Sequence, residues 1–175
     1  RDERLLESRP TIREHIEHLE LATVLNALQA VSSEIVPERL IETLLRMSLE
    51  HAGADRGVLL LPGEGGLLIR AEATSDRGTL TVRLREGPAR AGDLAESVVQ
   101  YVARTQESVI LNDASVPNPF SGDGYIHRTH ARSILCLPLI KQGRLVAVLY
   151  LENHLAPGVF TPARIAVLQV LAPQA

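Results

Sequence analysis

Residues 133–151 read as two almost wholly apolar runs, Ser133–Ile140 (SILCLPLI) and Arg144–Leu151 (RLVAVLYL), separated by Lys141-Gln142-Gly143. Apolar runs of this length broken by a short Gly-containing turn predict a β-hairpin. Continuous rather than alternating apolarity predicts strands covered on both faces. Such a hairpin needs layers above and below it, which points to a helix-flanked sheet.

The rest of the chain supplies both kinds of element. Pro37 suits the first position of a helix, with Ile41, Leu44, Leu45, Ser48, Leu49 and Ala52 on one face and Gly53 as its stop. Arg56–Leu61 (RGVLLL) predicts a buried strand, and Pro62–Gly66 a turn. In the following strand Leu67, Ile69, Ala71 and Ala73 alternate with Leu68, Arg70, Glu72 and Thr74. Leu80, Val82 and Leu84 alternate with polar residues in a third strand. Asp93 and Glu96 have capping-box spacing ahead of a helix carrying Leu94, Val98, Tyr101 and Val102. A short strand at Ser108–Leu111 precedes a long polar loop, Asn112–Arg132. After the hairpin, Thr161 and Pro162 open a last helix with Ile165, Leu168 and Leu171 inward. The expected order is ααβββαβ–loop–ββα, an α+β layered domain around an antiparallel sheet.

The first segment, 1–36, predicts a long helix. Thr11 and Glu14 form a capping box behind Pro10; Ile12, Ile16 and Leu19 make a narrow stripe that widens at Leu21, Val24, Leu25, Leu28, Val31 and Ile35. About 25 helical residues extend roughly 37 Å. The narrow stripe suits a dimer seam and the wide one suits packing on a globular body. An amphipathic helix folded back on its own domain fits the same pattern. The expected division is a linker or dimerisation helix at 1–36 and a globular domain at 37–175.

Charge and composition exclude several functions. A net charge of -3 and 3% aromatic residues leave neither a basic field nor stacking platforms for nucleic acid. One cysteine, Cys136, forms no internal disulfide and fits a reducing compartment. No apolar run reaches the roughly 18 residues of a membrane span, and Arg1–Arg9 (RDERLLESR) does not resemble a signal peptide. A cytoplasmic piece of a longer protein is expected, because the chain starts without Met and stops within an apolar helical pattern.

The hairpin residues Ser133–Leu139 and Gly143–Asn153, followed by Phe160-Thr161 at a helix start, resemble the signature of GAF domains. Residues 22–61 are similar to GAF modules placed before a histidine kinase or cyclase, and the resemblance covers residues 22–175. It implies a profilin-like antiparallel sheet of about six strands flanked by helices, of the kind found in bacterial multi-domain signalling proteins such as sensor histidine kinases. It also implies a regulatory sensor, not an enzyme, that binds a small molecule beneath the 112–132 loop. Its terminal helices would drive a linked output domain, often from a parallel homodimer. The alternative is a spacer with no small-molecule site.

Residues able to serve such a pocket are Tyr101, Asn112, Asp113, Tyr125, His127, His130, Arg132 and Ser133, with Phe120, Tyr150 and Phe160 as further aromatics. Arg132 suits a ligand carboxylate or phosphate. His127 and His130, with Asp113 and Asp123, suggest an anion or metal, but a solvated loop face is the expected reading and no metal is assigned. His15 and His18 share the spacing on an exposed helix face. Residues 112–132 contain no cysteine for a covalent bilin, and no match to the cyclic-nucleotide motif of the family is present. The family's methionine sulfoxide reductases use several cysteines, whereas Cys136 lies mid-strand and is expected to be core. Gly63, Gly65 and Gly66 lead into a strand rather than a helix, so no phosphate loop is expected. The cofactor, if any, stays unknown.

Overall fold

The computed structural model of the chain describes residues 38–89 and 92–169. The long helix expected at 1–36, its dimer seam, the His15–His18 pair and the Pro37 helix start lie outside them. The end of the last helix beyond 169 does too.

Ten elements follow in order: α1 (Glu38–Ala52), β1 (Arg56–Gly63), β2 (Gly66–Asp76), β3 (Thr79–Pro88), α2 (Glu96–Thr105), β4 (Val109–Leu111), α3 (Gly124–Thr129), β5 (Ser133–Lys141), β6 (Arg144–Asn153) and α4 (Pro162–Gln169). The strands form one antiparallel sheet in the order β3-β2-β1-β6-β5-β4. The expected hairpin is β5–β6, closed by Gln142 and Gly143 with φ of 50° and 73°. Two consecutive positive φ values give the turn whose twist matches the strands it joins.

The two faces carry separate apolar layers. On one, Ile41, Leu44, Leu45 and Leu49 of α1 meet Leu135, Leu149 and Leu151 of the hairpin, with Phe160, Ile165 and Leu168 beside them. On the other, Leu94 just ahead of α2, Val98 and Val102 of α2, and Tyr125 and Ile126 of α3 cover Val58, Leu60, Ile134 and Tyr150. The central strands are thus buried on both sides, as their unbroken apolarity requires. Ser48, in the apolar face of α1, is fully buried and donates its hydroxyl to the Leu44 carbonyl at 2.7 Å. Gly57 lets β1 approach α1: a Cβ there would lie 2.7 Å from Leu49 Cδ1 and 2.9 Å from Leu151 Cδ2.

Three local expectations change. Ile69 and Ala71 alternate in sequence as one face, but a bulge between them puts Ile69 in the α2 layer and Ala71 in the α1 layer. Asp93 does not cap α2. Its carboxylate pairs with Arg85 at 3.0 Å, and the cap position is Ala95, with no side-chain hydrogen bond. The loop expected at 112–132 contains the six-residue helix α3.

Candidate functional site

Asn, Asp and Ser side chains organise the segment 112–132. Asp113 accepts from the Ser115 amide at 3.0 Å. Asn118 Oδ1 accepts from the Phe120 amide at 2.7 Å, and its Nδ2 donates to the Val116 carbonyl at 2.9 Å. These local bonds replace ladder bonds and hold the backbone in successive turns. Asp123 then caps α3, with Oδ1 accepting from the Tyr125 amide at 2.9 Å. Its Oδ2 accepts from the Ser97 amide at 3.0 Å, so one carboxylate serves the starts of both α2 and α3. The loop expected at 112–132 is a segment tied at both ends. His130 closes α3 at φ 54°, and Asp113 pairs with Arg132 at 3.4 Å. Bonds from the Ser115 hydroxyl and amide, ahead of that pair, hold the Asp113 carboxyl below its usual range.

Beneath α3 lies a buried polar network. Glu152 of β6 is fully buried. Its Oε1 accepts from the Tyr125 hydroxyl at 2.6 Å and from Arg56 Nη1 at 3.1 Å; its Oε2 accepts from the Tyr150 hydroxyl at 2.7 Å. Arg56 also donates to Glu72 at 2.8 Å and to the Tyr125 oxygen at 3.0 Å. Tyr150 in turn accepts from the Ala95 amide at 3.3 Å, at the N-terminal end of α2. Burial opposes the Arg56 charge, but Glu152 and Glu72 outweigh it and hold its pKa above the ordinary value. Burial first, and Glu152 second, push both phenols upward, so each stays a donor.

His154 completes the network from the surface side. Its Nδ1 lies 3.1 Å from Asp55 and its Nε2 3.4 Å from Glu152, so both ring nitrogens face carboxylates and the imidazolium fits best. The hydrogen bond to Asp55 raises its pKa; burial and Arg56 oppose this, and the charge of Glu152 adds to it. A folded-state pKa above the unfolded one gives stability that is complete below about pH 6.5, the ordinary histidine value. That contribution disappears as pH rises through the raised folded value. Urea unfolding across this window should show wild-type stability falling relative to His154→Gln; parallel curves would remove the charged contact.

On the outer side of the segment, residues 114–117 and the α3 end enclose a cleft of about 310 Å³, lined by Val116, Pro117, Ser121, Ile126, His127 and His130 among others. The two histidines expected at a ligand site therefore share one cleft, and His127 Nε2 contacts the Ser121 carbonyl. Tyr125 points the other way, into the Glu152 network. Tyr101 lies elsewhere, with its ring edge-on to Phe120 at 5.5 Å and its hydroxyl donating to Glu107 at 3.1 Å. Asn112 and Ser133 sit at the root of the segment. The Asn112 carbonyl accepts from the Gly158 amide at 2.7 Å, and the buried Ser133 hydroxyl donates to the Ala156 carbonyl at 2.9 Å. Cys136 is fully buried, and burial pushes its thiol well above the ordinary range. Among the described residues, no group of three or more His, Cys, Asp or Glu side chains is placed to hold a metal ion. No described helix is long and apolar enough to cross a membrane.

Sequence reasoning missed Asp55, Arg56, Glu72, Glu152 and His154. The available signal was Glu152 itself, a carboxylate directly after the apolar run ending at Leu151.

A six-stranded antiparallel sheet between helical layers, with a structured segment closing one face, defines a layered α+β domain. Residues 36–175 match the sequence model of the GAF domain, and the chain belongs to that family. It is 24% identical over 158 residues, 90% of its length, to the peroxide stress-activated histidine kinase mak3 of Schizosaccharomyces pombe. Over 78 residues, 45% of its length, it is 37% identical to hybrid signal transduction histidine kinase G of Dictyostelium discoideum. The chain spans only 7% and 2% of these two relatives, and both are eukaryotic. The GAF domain of an Acinetobacter phosphoenolpyruvate-protein phosphotransferase superposes with a TM-score of 0.58 at 20% identity, covering 88% of each chain. The type II free methionine-R-sulfoxide reductase of Thermoplasma acidophilum superposes with a TM-score of 0.52 at 13% identity, covering 86% of this chain and 90% of that one. The two likenesses establish the shared fold, which one of these proteins uses for catalysis.

Proposed function

We propose that this GAF domain is the regulatory sensor module of a longer cytoplasmic histidine kinase. A small molecule or partner engages the segment 112–132, and the terminal helices carry the state to the kinase. Residues 1–36 form the linking and dimerisation helix and 37–175 the sensor. Two histidine kinases among the relatives support the output assignment. The observation that carries the sensor reading is the root of the segment, where Asn112 and Ser133 bond the loop at Ala156 and Gly158 that leads into α4. A ligand shifts the output by its difference in affinity for two arrangements of that junction. Support for a non-catalytic role comes from Cys136, buried and held as a thiol; an enzymatic reading would require Cys136→Ser to abolish a turnover.

The test is native mass spectrometry of the gently purified chain, followed by thermal shift against a metabolite panel. The sensor reading expects a retained or stabilising small molecule whose effect is lost in His127→Ala/His130→Ala. The spacer reading is favoured by one observation, the filling of the space between α3 and the sheet by Tyr125, Tyr150, Arg56 and Glu152. No response across the panel would support it. A sensor of this type also predicts a homodimer, and sedimentation showing a concentration-independent monomer with residues 1–36 intact would remove the dimer.

A further inference from the structure

We propose that Glu152 and Asn153, successive residues of β6, are the positioning pair that links the segment 112–132 mechanically to the end of α1 and to the connection that leads into α4. Successive side chains of a strand project to opposite faces. Glu152 faces the α2–α3 layer, where Tyr125 of α3 donates to it at 2.6 Å and Tyr150 at 2.7 Å. Asn153 faces the other way, and its Nδ2 donates to the carbonyl of Gly53, directly after α1, at 2.9 Å. Its Oδ1 accepts from the amides of Leu155 and Ala156 at 2.8 and 3.0 Å, in the connection running to α4. Its own carbonyl accepts from the Arg132 amide at 2.9 Å, at the far end of the segment.

Both residues sit in the ladder, Glu152 opposite Arg56 of β1 and Ile134 of β5 and Asn153 opposite Ser133, so a displacement of this end of β6 carries both side chains with it. The releasable contact is Tyr125, carried on a helix of only six residues. When α3 lifts, Glu152 keeps Arg56 and Tyr150, so the carboxylate stays paired while the pull on β6 changes. That is a low-cost way to give the junction two arrangements. This inference deepens the sensor reading by naming its internal link, but the link holds whether or not a ligand is found.

Hydrogen exchange of the full 175-residue chain tests it, with Tyr125→Phe as the conservative variant. Removing one hydroxyl is expected to speed exchange of the Leu155, Ala156, Gly158 and Ile165 amides on the order of ten-fold. The amides pairing β2 with β3 should be unaffected. Coupling is reciprocal, so Asn153→Ala should in turn speed the His127 and His130 amides of α3. Acceleration confined to 120–131 in Tyr125→Phe would overturn the link, as would an equal rise throughout the sheet. An unresponsive metabolite panel together with the expected exchange pattern would retire the ligand and leave the link standing.

Discussion

Glu152→Ala is expected to destabilise the domain by about 3–5 kcal/mol, the range found when one partner of a buried ion pair is removed. The change leaves Arg56, whose side chain is only 14% exposed, with Glu72 and the neutral Tyr125 oxygen, and strips the acceptor from two buried phenols. Unpaired buried donors carry their full desolvation cost. Glu152→Gln should cost less, because it keeps the volume and one acceptor oxygen while losing the charge. Urea denaturation of both variants measures the difference, with unchanged m-values showing that the same surface unfolds. A loss below about 1 kcal/mol for Glu152→Ala would mean that water reaches the network and shares its bonds.

Gly57→Val should cost about 1–3 kcal/mol, for a steric rather than an electrostatic reason. The first added carbon would already crowd Leu49 Cδ1 and Leu151 Cδ2. Both leucines are buried members of one close-packed cluster, so moving their ends aside disturbs their neighbours. The expected relief is a shift of α1 away from β1. Gly57→Ala should give a smaller effect of the same sign. Equal stability of all three proteins in thermal melts would show that α1 sits on the sheet less tightly than the contacts indicate. The result bears on signalling because the close seat at Gly57 and the Asn153 bond at Gly53 lie at the same end of α1.

Much of the fold was legible because its determinants are local. The hairpin, the buried strand at 56–61 and the face of α1 each declare themselves through apolar periodicity within ten to fifteen residues. Periodicity reports burial, however, and does not report bulges: Ile69 and Ala71 have the right spacing for one face and occupy two. Capping patterns are weaker still when a side chain has a better distant partner. Asp93 turns to Arg85, and Asp123, 26 residues beyond Ser97, serves the start of α2 instead. Helix α3 is too short for a periodic signal, although Asp123 marks its start.

The candidate site was legible only in part. His127 and His130 share a cleft because one lies in the last turn of α3 and the other caps it. The network beneath joins Arg56, Glu72, Tyr150 and Glu152, brought together by strand pairing, with Tyr125 from α3 and His154 just after β6. Arg56, for instance, reaches Glu72 because its strand pairs with β2, and Glu152 because it also pairs with β6. Neither partner follows from local spacing. Tyr125, expected to line a ligand pocket, spends its hydroxyl on Glu152.

The regulatory role is tested most directly by autophosphorylation of the intact histidine kinase proposed to carry this domain, compared between wild type and Tyr125→Phe. The variant keeps the fold and weakens the hold of α3 on β6, so the rate should change at least about five-fold, the lower end of typical allosteric coupling. An unchanged rate in a folded variant, or an intact protein without kinase activity, would contradict it.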